Sequence, residues 1–196
     1  MPVRIYGLIA TTLATAAGAQ QAAYPPFGID LTAQDPSGFD DQGRHIDAAG
    51  ALRDWWTPKD AAAFATRAAV LGAQYAIYEP VSGLHINPDL TMGENLADLG
   101  GLSIALDAYH ASLGGRPAPT INGLTGDQRV FLSWAQAFAA KWRPEAIRKL
   151  TASDPHSWNK YRVDGVVRDI DAWYAAFGIK PGDPLYVPPE KRARIW

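Results

Sequence analysis

A chain of 196 residues is long enough for one domain with a hydrophobic core. Its 18 Lys and Arg against 20 Asp and Glu give a net charge of −2, without the basic excess expected of a nucleic-acid binder. It contains no Cys, which excludes disulfides, thiolate zinc sites, iron–sulfur clusters and cysteine nucleophiles, and only four His: His45, His85, His110 and His156.

The chain begins with a single cation, Arg4, followed by an uncharged stretch, Ile5–Ala19, that closes on Ala17-Gly18-Ala19. This layout predicts a secretory signal peptide over residues 1–19, and with it a secreted or periplasmic protein. The uncharged stretch is too short for a bilayer span, so no membrane span is expected after cleavage. Residues 20–37 hold Pro25-Pro26, Gly28 and Pro36 and read as a linker or irregular segment. Residues 39–57 read as an ordered, Asp- and Gly-rich loop ending at Trp55-Trp56.

Thr57-Pro58 is a helix-start signal, a capping hydroxyl followed by Pro at the first helical position. Phe64, Leu71, Tyr75 and Tyr78 then share a face, and the helix ends before Glu79-Pro80. A loop with Gly83 and Asn87-Pro88 precedes a second helix, expected from about Gly93 to Leu113. It carries Leu96, Leu99, Leu102, Leu106 and Tyr109, and Gly114-Gly115 stops it. A third helix is expected to carry Phe131, Trp134, Phe138 and Trp142, and a short fourth to run from Pro144 through Leu150. The last apolar stripe, Val163, Val166, Val167, Ile170, Trp173, Tyr174 and Phe177, predicts one helix closed by Gly178. The expected fold is therefore mainly α, with little or no β-sheet.

Two segments hold polar groups that packing does not explain. In Gly93–Gly101, Glu94 and Asp98 stand four apart, so a helix projects both carboxylates from one face. Like charges at that spacing call for a cation nearby, whether a metal ion, a His or an Arg. The alternative is a solvated helix start, where acids complement the macrodipole. In Asp154–Gly165, His156 and Arg162 precede an apolar helix pattern. A His there can donate to a developing oxyanion, and an Arg can clamp a carbonyl or carboxylate. The alternative is a capped helix start with Asp154 pairing locally.

Together, Glu94-Asn95-x-Ala97-Asp98-x-Gly100-Gly101, Asp154-x-His156-Ser157 and Arg162-Val163-Asp164-Gly165 resemble the neprilysin/endothelin-converting-enzyme family of zinc metallopeptidases. Gly38–Arg44, Asp54-Trp55-Trp56, Tyr75–Tyr78 and the terminal Arg194-Ile195-Trp196 fit the same pattern. The resemblance covers residues 38–196. It implies the C-terminal helical part of a zincin-like catalytic domain, with zinc as cofactor and a peptide as substrate or ligand. It further implies Glu94 as the carboxylate zinc ligand and Asp98 as the acid that orients a ligand His. His156 would stabilise the oxyanion, and Arg162 would hold a substrate carbonyl and contact Asp98. The intact family hydrolyses peptide bonds with a zinc-activated water and a Glu base.

That chemistry needs His-Glu-x-x-His on one helix. In the family this motif directly precedes Gly-Phe-Asp-Asp; here the matching stretch is Thr32–Gly38, which contains no His and is interrupted by Pro36. No His-x-x-x-His occurs anywhere in the chain. His110 lies on the helix of Glu94 but about 24 Å along it. The leading expectation is thus a partial metalloendopeptidase that binds zinc weakly and is inactive as this chain. The alternatives are a non-catalytic secreted peptide-binding module and half of a split peptidase.

Overall fold

The computed structural model describes residues 43–47 and 49–195. The expected signal peptide, the linker and Gly38–Gln42 lie outside the described residues. Six α-helices follow one another: α1 (Pro58–Ala76), α2 (Pro88–Ser112), α3 (Gly126–Ala137), α4 (Pro144–Ser153), α5 (Asn159–Val167) and α6 (Asp171–Phe177). Short 3-10 turns lie at Gly43–His45 and Pro189–Lys191. Extended pairing among the described residues amounts to isolated bridges, such as Val81 with Leu84 and Ile121 with Leu124. The mainly α expectation holds.

Local chemistry sets most helix starts. At α1, Thr57 Oγ1 accepts from the Asp60 backbone N–H at 3.2 Å, and Asp60 accepts in return from the Thr57 N–H, a complete capping box. Thr125 and Gln128 form the same device at α3. The second helix begins at Pro88, earlier than the expected Gly93, because Asn87 caps it by accepting from the Asp89 N–H at 3.1 Å. Asn87-Pro88 is the same cap-plus-Pro signal as Thr57-Pro58. The third helix ends at Ala137, with Phe138 as its cap, leaving Trp142 in the following loop and nearly half exposed. The fourth continues past Leu150 to Ser153.

The stripe from Val163 to Phe177 is two helices rather than one. The chain breaks at Arg168–Ile170, where Ile170 is extended and Asp169 turns inward to accept hydrogen bonds from Gln74 and the Ala193 N–H. These tertiary bonds override an unbroken apolar periodicity. Gly178 does close the pattern, with φ of 65°, a left-handed conformation that glycine adopts freely.

The core is built where α2 lies on α1 and α5 crosses both, with α3 and α6 packed together alongside. Leu71, Tyr75, Leu96, Leu102 and Val166 are fully buried there. Gly165 lets α5 approach α1: a Cβ at that position would lie 2.6 Å from Tyr75 Oη. Tyr75 Oη in turn donates to the Tyr161 carbonyl at 3.1 Å. This crossing places the start of α5, with the loop before it, over the second and third turns of α2.

Candidate active site

Because α2 begins at Pro88, Glu94 lies beyond its first turn, where the macrodipole has largely decayed. The solvated-start explanation therefore does not account for the Glu94–Asp98 pair. Each carboxylate instead meets its own side chain from the α5 region. Glu94 Oε2 lies 3.0 Å from His156 Nε2, both side chains being about two-fifths exposed. Asp98 is buried, and Arg162 donates to it in a fork, Nε to Oδ2 at 2.7 Å and Nη2 to Oδ1 at 2.7 Å. All four residues named from the sequence thus share one face.

Supporting contacts fix each group. His156 Nδ1 lies 2.8 Å from Asp154 Oδ1, which also accepts the His156 backbone N–H at 2.8 Å. The local pairing of Asp154 and the approach of His156 to Glu94 coexist, one at each ring nitrogen. The Arg162 guanidinium stacks 4.6 Å from the Phe138 ring centre, and its carbonyl accepts from Trp134 Nε1 at 3.1 Å.

Sequence reasoning missed a buried polar chain on the same helix as the two carboxylates. Ser157 Oγ donates to Asn95 Oδ1 at 2.7 Å, Asn95 Nδ2 donates to Thr91 Oγ1 at 3.0 Å, and Thr91 Oγ1 donates to the Asn87 carbonyl. It stitches the His156 loop to α2. The available signal was helical spacing, since Thr91, Asn95 and Asp98 fall on one face.

Burial pushes the Asp98 carboxyl above the usual carboxylate range, against the pull of Arg162; Glu94 adds to the rise and His156 opposes it. Its hydrogen bonds to Asp98 raise Arg162. The two shifts have different dominant causes, dehydration at the acid and pairing at the base. Asp154 is held below the ordinary range by the His156 backbone N–H and then by its ring.

The remaining His residues do not join this site. His45 ends the first 3-10 turn, His85 sits in the loop before α2, and His110 pairs with Asp127 at 2.7 Å across the ends of α2 and α3. Zinc needs three protein ligands with one position open, or four. Glu94 is engaged by His156, both Asp98 oxygens are taken by Arg162, and no metal-ligating cluster of three His, Asp or Glu forms among the described residues. Among the described residues, the donor set does not fit a zinc ion.

Residues 36–193 match the profile of Peptidase family M13. Endothelin-converting enzyme 1 of Bos taurus is 37% identical over 166 residues, covering 81% of this chain and 21% of that protein. Neprilysin-1 of Caenorhabditis elegans is 38% identical over 165 residues, covering 81% and 22%. Among solved structures, the zinc metalloprotease ZMP1 of Mycobacterium tuberculosis matches with a TM-score of 0.79 at 49% identity, over 82% of this chain and 25% of that one. The chain spans about a fifth of the length of these curated relatives. A profile match over most of the chain, with the same helical fold at 49% identity, means that this chain belongs to peptidase family M13.

Proposed function

We propose that residues 38–196 are the C-terminal part of an M13 catalytic lobe, exported by the signal at residues 1–19. In this reading the chain carries the carboxylate and substrate-facing half of a metalloendopeptidase site and does not hydrolyse peptides as these 196 residues stand. The observation that supports it is the pairing of Glu94 with His156 and of Asp98 with Arg162, in a chain without His-x-x-x-His. In an intact site Glu94 would ligate zinc and Asp98 would orient a ligand His. Here His156 and Arg162 engage those same carboxylates. His156 and Arg162 are the groups that would meet a peptide carbonyl and its oxyanion.

The test is an internally quenched peptide incubated with the purified chain and added zinc. No cleavage is expected. Chelator-sensitive cleavage that is lost in Glu94→Gln would overturn the reading. Cleavage that appears only with a second chain bearing His-Glu-x-x-His would identify a split peptidase instead.

A peptide-binding role is favoured by one feature: Arg162 gives Nε and Nη2 to Asp98 but not Nη1, and its side chain remains one-fifth exposed. That role requires a peptide affinity that falls in Arg162→Lys, which keeps a cation for Asp98 but loses the fork. Undetectable binding by the wild type rejects it.

A further inference from the structure

Asp169, in the break between α5 and α6, is only 1% exposed. Its Oδ1 accepts from the Ala193 backbone N–H at 2.6 Å and from Gln74 Nε2 at 2.9 Å. Gln74 Nε2 also donates to the Lys191 carbonyl at 3.3 Å. These bonds fasten the C-terminal segment, with buried Ala193 and Ile195, to α1. One oxygen of each group is left over. Asp169 Oδ2 and Gln74 Oε1 are both buried and both lack a donor. Two orphan acceptors on groups already joined by one hydrogen bond are costly. Solvent reaches neither oxygen, and a proton on one of them supplies a donor for the other.

We propose that Asp169 is held as a neutral carboxylic acid in the folded chain, donating from Oδ2 to Gln74 Oε1 while Oδ1 accepts from Gln74 Nε2. The acid and the amide then form a ring of two hydrogen bonds, a clasp on the C-terminal segment that weakens as the acid ionises.

The charged neighbours leave this arrangement open. Arg194 gives Nη1 to the Asp169 carbonyl at 2.8 Å and Nη2 to Asp171 at 2.6 Å. Arg192 is turned to Asp171 and to the Val187 carbonyl, and stacks on the Tyr174 ring. Arg168 donates Nη1 to Tyr78 Oη at 2.9 Å, and Lys191 contributes its carbonyl. Tyr75 and Tyr78, from α1 and the turn after it, face the site with hydroxyls engaged elsewhere. Among the described residues no guanidinium donates to the Asp169 side chain. Burial is the largest influence on its carboxyl and pushes it up; the bonds from Gln74 and Ala193, then the Arg168 and Arg194 charges, pull the other way.

An acid raised on folding stabilises the fold fully below its ordinary value of about 3.9, and that stabilisation is lost as pH rises through the folded value. Thermal unfolding of the full chain and of Asp169→Asn between pH 4 and pH 9 tests the clasp, because the Asn amide supplies the donor at every pH. The two melt together at pH 4. Above it the variant becomes the more stable, by about 3–5 °C for each unit by which the folded value is raised. The infrared spectrum of the wild type at pH 5, where an ordinary carboxyl is mostly ionised, carries a protonated-carboxyl C=O band that is missing in the variant. Should Asp169→Asn fold poorly, the Gln74→Leu variant reads the same band, shifted by loss of its hydrogen-bond partner. A deficit in Asp169→Asn that is equal at pH 4 and pH 8, melting curves that coincide at every pH, or no Asp169-dependent carboxyl band would each overturn the proposal.

Discussion

Replacing Arg162 with Met removes the cation from Asp98 while keeping much of the side-chain volume. Asp98 is 6% exposed at its side chain and takes both Arg162 hydrogen bonds at 2.7 Å, so its charge is left buried and unpaired. Breaking a buried pair from one side typically costs about 3–5 kcal/mol. Protonation limits that cost. Bringing a carboxyl from its ordinary value of about 3.9 to the neutral form at pH 7 costs about 4 kcal/mol, and at pH 5 about 1.5 kcal/mol. The one-fifth exposure of Arg162 places the expected loss at the lower end, about 3 kcal/mol at pH 7. With the guanidinium gone, burial acts alone and the carboxyl rises further. The deficit is therefore largest at neutral pH and shrinks as pH falls, to about 1.5 kcal/mol at pH 5. Urea denaturation at both pH values measures it. The companion variant Asp98→Leu/Arg162→Met removes both charges and should recover most of the loss. A single-variant loss below about 1 kcal/mol, or a double variant as damaged as the single, would refute the claim that this pair is buried and mutually dependent.

Other variants test other joints. Ser157→Ala leaves Asn95 Oδ1 buried without its donor and should cost about 1–3 kcal/mol in urea denaturation; an unchanged midpoint would remove Ser157 from the polar chain. Gly165→Ala drives a methyl into the Tyr75 ring at the α1–α5 crossing and should cost about 1–3 kcal/mol, with a wild-type Tm as the contrary outcome. Asp154→Asn should be less stable than wild type above the ordinary carboxylate value, because the folded state favours the ionised form there. That gap closes as pH falls below about 3.9, whereas a gap of constant size would show that the charge of Asp154 is not what His156 senses.

Local signals were legible wherever one or two residues set the backbone. Thr57-Pro58 marks the start of α1, and Asn87-Pro88 marks α2 by the same chemistry although its flanking glycine and loop residues mask it. Periodicity alone could not find the break between α5 and α6. The break is held by Asp169 on Gln74, which is 95 residues away in sequence, and no spacing rule reaches that far. Trp142 shows the converse, a well-spaced aromatic that packs edge-on to Trp158 in a loop rather than extending α3. At the site, the shared face of Glu94 and Asp98 followed directly from the helical repeat. Spacing left open a nearby cation or a solvated helix start, and the partner of Asp98 lay 64 residues downstream. Only the resemblance linked the two segments before the structure placed them side by side.

In the proposed reading this chain keeps the M13 carboxylates and engages them with His156 and Arg162 rather than with a metal ion. Calorimetric titration of the metal-free full chain with zinc tests it most directly. The account predicts no saturable one-to-one binding and a Tm indifferent to zinc or chelator. Tight stoichiometric zinc that is lost in Glu94→Gln would contradict it.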